Sequence, residues 1–183
     1  MKLLKNKKAL STVVTTLIVL VVSVLLATVV TFYAINVTTT RVQEESLQIT
    51  KLHIWCDNGG NSSAAFMITN TGGRDAVMEK ITIRGVKIDG SEIFYWKIGE
   101  GDTVPDELVW VNGTQAGFQE AYGEDFTNLG TDSLVLPSGA RMVVYLFNLA
   151  HLSTSDIGVS VSVVVFTANA QYYKETNVEA YLP

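Results

Sequence analysis

The residues of this chain with the most definite chemistry are three Asn-x-Ser/Thr triplets. Asn36-Val37-Thr38, Asn61-Ser62-Ser63 and Asn112-Gly113-Thr114 each offer an amide nitrogen to which a glycan can be attached. Asn61 and Asn112 fall in predicted turns, where an acceptor can be reached. Asn36 falls in an apolar helix and is better suited to a helix–helix contact. Other chemistry is thin. The two histidines, His53 and His151, lack metal-ligand spacing. No glycine-rich phosphate loop follows a predicted strand, and there is no nucleophile elbow. The acids Glu100, Asp102, Asp106 and Glu107, and the group Glu120, Glu124 and Asp125, could meet calcium in a loop. They match no ordered ligand spacing and read as solvated loop charge. No pair of carboxylates stands out for glycoside chemistry. The expectation is a protein that is not an enzyme and holds no cofactor and no metal.

The elements that carry these residues follow from charge and hydropathy. The chain has 183 residues and a formal net charge of −5, with 13 Lys and Arg against 18 Asp and Glu. All the acids lie after Thr40, whereas Lys2, Lys5, Lys7 and Lys8 precede Ala9. Without the first nine residues, 9 bases would face 18 acids, a net −9. An acidic domain lacks the basic face that phosphate binding needs, so nucleic acid is not an expected partner. Cys56 is the only cysteine, which leaves no internal disulfide and fits a small buried apolar residue beside Trp55.

Between Ala9 and Thr40 no residue is charged, and neither Gly nor Pro occurs before Gly59. Lysines ahead of the first apolar segment hold that end in the cytoplasm and send the rest of the chain outside. From Leu10 to Val37 a helix would be about 42 Å long, more than the roughly 30 Å of a bilayer core. Thr12, Thr15, Thr16, Thr28 and Thr31, with Ser11 and Ser23, can bond back to their own helix or across to another. The polar continuation lets one helix run to about Leu47. A secretory signal cut on the far side is disfavoured. The apolar core is too long, and the Ala exits at Ala27 and Ala34 have the bulky Leu25 and Phe32 at the −3 position.

Beyond the helix the periodicity changes to two. Predicted strands cover Leu52–Cys56, Ala64–Thr69, Val77–Arg84, Glu92–Lys97, Leu108–Val111, Leu134–Leu136, Arg141–Asn148, Val159–Phe166 and Gln171–Tyr181. Asp89-Gly90 reads as a hairpin turn, and Thr114–Thr131 as a long surface loop. Short strands at such spacing, with no second helix, predict an antiparallel sandwich or a small barrel, and an Ig-like β-sandwich is the expected form. The expected fold class is therefore α+β. Residues 1–9 form a basic leader, 10–50 a hydrophobic membrane or filament-core helix, and 51–183 a β-sandwich ectodomain.

With that pattern established, Lys7-Lys8-Ala9-Leu10-Ser11-Thr12-Val13-Val14 resembles the class III signal peptide of archaeal type IV pilin-like proteins, the group of adhesion pilins and archaellins. The resemblance implies removal of the leader by a dedicated prepilin-type peptidase between Ala9 and Leu10, with Lys7 and Lys8 on the discarded side. Phe66-Met67-Ile68-Thr69-Asn70-Thr71-Gly72, Val77, Ile81-Thr82-Ile83 and Leu136-Pro137-Ser138-Gly139 resemble the family's ectodomain more loosely. Ala9 stands where many members have Gly, and Thr12 where many have Pro. Val14 stands where a bacterial pilin has Glu, which separates the chain from that branch.

The resemblance implies a structural subunit of a cell-surface filament serving adhesion, assembled with copies of itself and with assembly machinery, and held in the cytoplasmic membrane beforehand. Leu10, Val13, Val14, Leu17, Val21, Val24, Thr28 and Phe32 would lie in the filament core. Burial against neighbouring helices would contribute about 25 cal/mol per Å² removed from water. Retained lysines at the helix start would be costly there. An archaellin, the subunit of a motility filament, is the alternative within the family. A membrane-anchored β-sandwich binding module is the alternative outside it.

Overall fold

A computed structural model describes residues 7–42, 44–57 and 59–181. Residues 1–6 of the expected leader lie outside the described residues, as do the side chains of Lys7, Lys8 and Ala9. The chain divides into two compact units, Met1–Gln43 and Glu44–Pro183.

The first unit is helix α1, Lys7–Val42. Its 36 residues make it about 54 Å long at 1.5 Å per residue. Strand formation begins at Leu47, earlier than the sequence suggested, because Leu47 and Ile49 already alternate into the core of the second unit. The β unit therefore starts near 44 and not at 51.

The second unit holds strands β1 (Leu47–Asp57), β2 (Ser62–Asn70), β3 (Ala76–Ile83), β4 (Val86–Lys87), β5 (Ile93–Ile98), β6 (Thr127–Asn128), β7 (Leu134–Leu136), β8 (Arg141–Leu146), β9 (Ser160–Thr167) and β10 (Gln171–Tyr181). They form one sheet in the order β4-β3-β9-β10-β1-β2-β8-β5-β6, with β7 on β3. The antiparallel sandwich expected from the sequence is not what forms. β1 and β10 pair in parallel, Ile54 opposite Val178 and Asp57 opposite Tyr181, and this pair joins all the strands into a single mixed, open, curled sheet. The edge strands β4 and β6 have two residues each, too short to template further pairing.

The curl encloses an inner core that draws on nearly every strand, including Ile54, Phe66, Ile81, Leu136, Val144 and Val163. Two bulges keep the strands facing it. In β1 the register slips between Thr50 and His53, where Lys51 has φ 50°. The inward residues accordingly change from Leu47 and Ile49 to Leu52, Ile54 and Cys56. In β3 the slip between Met78 and Lys80 changes them from Ala76 and Met78 to Ile81 and Ile83.

A second, aromatic core lies on the other face of β1, β2, β5 and β8 and contains Trp55, Trp96, Phe118, Phe126 and Tyr145. Burial on both faces explains why β8 and its extension read as an unbroken apolar run, Met142-Val143-Val144-Tyr145-Leu146-Phe147. What covers this face is the segment read as a surface loop. It contains helix α2, Gln115–Tyr122, which inserts Phe118 fully into the aromatic core. Thr114 caps the helix by accepting from the Gly117 N–H, and Gly123 ends it in the left-handed conformation at φ 72°. Leu108–Val111, expected as a strand, joins no strand, although Leu108 and Val111 are buried. Asp89-Gly90 likewise makes no hairpin. The chain passes there through a short 3-10 turn into β5, whose partners are β6 and β8.

Two of the segments carrying the loose family resemblance meet. The side chain of Asn70, almost fully buried, donates through Nδ2 to the Arg74 and Leu136 carbonyls at 2.7 and 3.0 Å and accepts from the Gly72 N–H at 3.0 Å. Ser138 donates from Oγ to the Gly72 carbonyl at 2.6 Å.

Candidate functional site

Helix α1 combines length with an apolar surface on every side. Leu10–Thr40 is a 31-residue stretch whose most apolar 18 residues have a mean hydropathy of 2.9, and its side chains are exposed throughout. Leu10, Val13, Val14, Leu17, Val21, Val24 and Phe32 are all exposed, as is Thr28. They do not share one stripe, because adjacent positions such as Ile18, Val19, Leu20 and Leu25 are equally apolar and equally exposed. A helix apolar all round needs an apolar solvent, whether lipid or other helices.

Most of the polar side chains within it bond back to the helix itself. Thr15 donates to the Ser11 carbonyl at 2.8 Å, Thr16 to Val13 at 2.9 Å and Ser23 to Val19 at 2.6 Å. Thr28, Thr31, Thr39 and Thr40 donate in the same way to Val24, Ala27, Ile35 and Asn36. Of the two uses open to these hydroxyls, the bond back to the same helix is made, which leaves methyl groups facing outward. Asn36 also donates Nδ2 to its own helix, to the Phe32 carbonyl at 2.9 Å. Ala27, Thr28 and Thr31, flanked by Val24, Phe32 and Ile35, leave a shallow apolar notch of about 500 Å³ on one side.

At the expected processing point, Lys7, Lys8 and Ala9 are part of the helical backbone and Leu10 is exposed.

The two acceptor triplets of the β unit, distant in sequence, come to one place. Asn61 lies in the turn between β1 and β2, and Asn112 ahead of α2. Both are exposed, and both line an open cleft of about 550 Å³. Asn61 donates its backbone N–H and Nδ2 to the two Asp57 carboxylate oxygens at 2.8 and 2.9 Å. These bonds hold the Asp57 carboxyl below its ordinary range. Asn112 Oδ1 accepts from the Thr114 N–H at 3.1 Å and the Thr114 hydroxyl at 2.7 Å, an Asx turn leading into the helix cap. The sequence signalled both turns but not that they share a rim.

The other candidates have structural partners. His53 stacks on Trp55, ring centroids 5.4 Å apart, and lies between Glu107 at 2.7 Å and Glu179 at 3.0 Å. It ties β1 to β10 and to the segment before α2. His151 stands apart from this group, and its carbonyl accepts from Arg84. Asp102 accepts from the Gly99 N–H at 2.7 Å, and Asp125 from Gln119 at 2.7 Å. Among the described residues, no three His, Cys, Asp or Glu side chains converge as a metal site. Cys56 is buried, and burial together with neighbouring Asp57 pushes its thiol up.

A closed ring of hydrogen bonds, unforeseen from the sequence, clips α2 to β8. The Val109 N–H donates to Tyr122 Oη at 3.2 Å, and Tyr145 Oη donates to the Val109 carbonyl at 2.6 Å. The Tyr122 proton is therefore the one between Tyr122 and Tyr145. Burial pushes both phenols up.

No protein-family model and no curated protein matches the chain. Among solved structures, the chain is similar to part of a beta-glucosidase from Listeria innocua, in complexes with glucose and with gluconolactone. In each case identity is 14% and the TM-score 0.27, and the alignment covers 76% of this chain and 16% of the enzyme. The chain thus spans about a sixth of that enzyme's length. A likeness at that level carries no argument about activity, and the functional reading rests on the residues themselves.

Proposed function

We infer that the chain is a structural subunit of an archaeal type IV pilus-like filament at the cell surface, serving adhesion. Its leader is removed between Ala9 and Leu10, and helix α1 then leaves the membrane to pack against copies of itself. The observation that carries this reading is α1. It is apolar on all sides, exceeds the bilayer by about 20 Å, and turns most of its hydroxyl donors back onto its own backbone. Such a surface can pass from lipid to a bundle of like helices with few polar groups left to satisfy. Stacking of this kind does not close on itself and so forms a fibre. The acidic β unit then faces water.

The same observation supports a second reading. Leu10–Thr40 is ample to hold a monomer in the membrane with the β unit outside as a binding module. Electron microscopy of material sheared from the native cell surface separates the two. The filament reading predicts fibres that carry this chain, and their loss when Lys8→Glu and Ala9→Leu block processing. A chain that stays with the membrane fraction under all conditions overturns it.

A further inference from the structure

We propose that the cleft beside Trp110 is a binding site for a neutral sugar, either a monosaccharide or the terminal unit of a glycan. This holds whether α1 polymerises or remains an anchor. At about 550 Å³ the cleft falls within the size range of small-molecule sites. Its wall combines Trp110, Phe94 and Phe147 with Asp57, Glu92 and Asn148.

Three features select the ligand. First, Trp110 is held rigidly. Its ring stacks on Tyr181 at 4.1 Å with planes 12° apart, which covers one face, and Trp110 also lines the cleft. A fixed indole matches the apolar C–H face of a pyranose and loses little freedom on binding.

Second, Ser63 Oγ is buried and has no hydrogen-bond partner among the described residues. The Ser63 side chain is on the aromatic side of β2. Ser62 faces the other way, donating to the Leu149 carbonyl at 2.8 Å, and Ala65 shares the aromatic core. Ser63 is 4% exposed and forms part of the cleft wall. Buried hydroxyls are almost always partnered, so an orphan in the wall of a polar cleft marks a position for a ligand hydroxyl or the water that precedes it.

Third, the polar groups are carboxylates and amides, with no Lys or Arg among the lining residues. Phosphate and carboxylate ligands are thereby disfavoured. The Asp57 charge is already met by Asn61, and Glu92 Oε1 lies 3.5 Å from Asn148 Nδ2. Planar acceptors and donors engaged with neutral partners suit hydroxyl groups better than a second full charge.

The test uses the full chain in a zwitterionic detergent free of sugar headgroups. It is titrated with the methyl glycosides of glucose, galactose, mannose and N-acetylglucosamine, and with choline as the cationic alternative. Binding is followed by saturation-transfer NMR and by the Trp110 indole N–H signal. At least one glycoside is expected to bind saturably and shift that signal. Trp110→Ala should weaken binding by about tenfold or more. Because Trp110 also packs on Tyr181, Ser63→Ala serves as the second variant. It should weaken binding while leaving the thermal midpoint equal or raised, whereas a purely structural Ser63 would change neither binding nor the signal. Failure of all four glycosides to bind, binding indifferent to both variants, or binding of choline alone would each overturn the proposal.

Discussion

Ile54 of β1 lies opposite Val178 of β10 in the parallel pair that makes the sheet continuous, and both side chains are buried in the inner core. They are far apart in sequence, and no turn dictates their meeting. The pair is held by burial, with Ile54 0% and Val178 2% exposed. Ile54→Ala removes a fully buried side chain and should cost about 2–5 kcal/mol, lowering the denaturant midpoint followed by tryptophan fluorescence. Val178→Asp places an unpaired charge in the same core and should be at least as damaging.

The ring through Tyr122, Tyr145 and Val109 makes a different prediction. Tyr145→Phe keeps the packing but strands the Val109 carbonyl and the Tyr122 proton. A cost of about 1–3 kcal/mol is expected, with faster amide exchange in α2 than in β8. The pH dependence has a definite sign. Burial raises both phenols in the folded protein, so their stabilisation is complete below the unfolded value near 10 and is lost as pH rises above it. Thermal melts of the native protein between neutral pH and about pH 11 should show that decline, and Tyr145→Phe should flatten it.

Much of this architecture was readable in the chain. Period-two alternation located most strands, and the uncharged run from Ala9 to Thr40 located α1. What was hidden was hidden for physical reasons. The inward parity of β1 and β3 reverses at bulges after Thr50 and Met78, where no local residue pattern announces the change. Parallel pairing of β1 with β10 is a long-range choice made by the core. Helix α2 carries ordinary cap signals in the sequence, Thr114 before it and Gly123 after it. Gly117 within the helix obscured them. A Cβ there would approach Asn112 Oδ1 to 2.4 Å, so a larger residue would have to displace the Asn112 side chain from its Asx turn. The shared cleft of Asn61 and Asn112 depends on that same fold-back.

Acid should weaken the β unit through two carboxylates. Asp57 is held below its usual range by Asn61. Asp156 is held there by the Ser153 N–H and then by Arg84, whose Nη1 is 2.8 Å away. A depressed folded-state pKa gives stability that is present above the unfolded value of about 4 and lost as pH falls through the folded one. Melting temperatures should therefore drop below about pH 4, and Asp57→Asn with Asp156→Asn should reduce the slope of that drop. An unchanged slope would show that other carboxylates carry the acid response.

Helix α1 can be tested apart from the β unit. Val21 is in the middle of the apolar stretch and is 45% exposed. Val21→Asp puts a charge where lipid or neighbouring helices belong, at a cost of about 2.5–3.5 kcal/mol on insertion scales. Filaments should disappear while the fluorescence-monitored melt of the β unit stays within about 0.5 kcal/mol of the native value. Simultaneous unfolding of the β unit would show that the two units depend on each other.

The central claim, that α1 begins a mature polymerising chain at Leu10, is tested most directly by the intact mass and N-terminal sequence of the protein taken from its native cell surface. The filament account predicts a chain that starts Leu10-Ser11-Thr12-Val13 with the four leader lysines gone. A surface protein that still begins at Met1 would contradict it and leave α1 as an anchor.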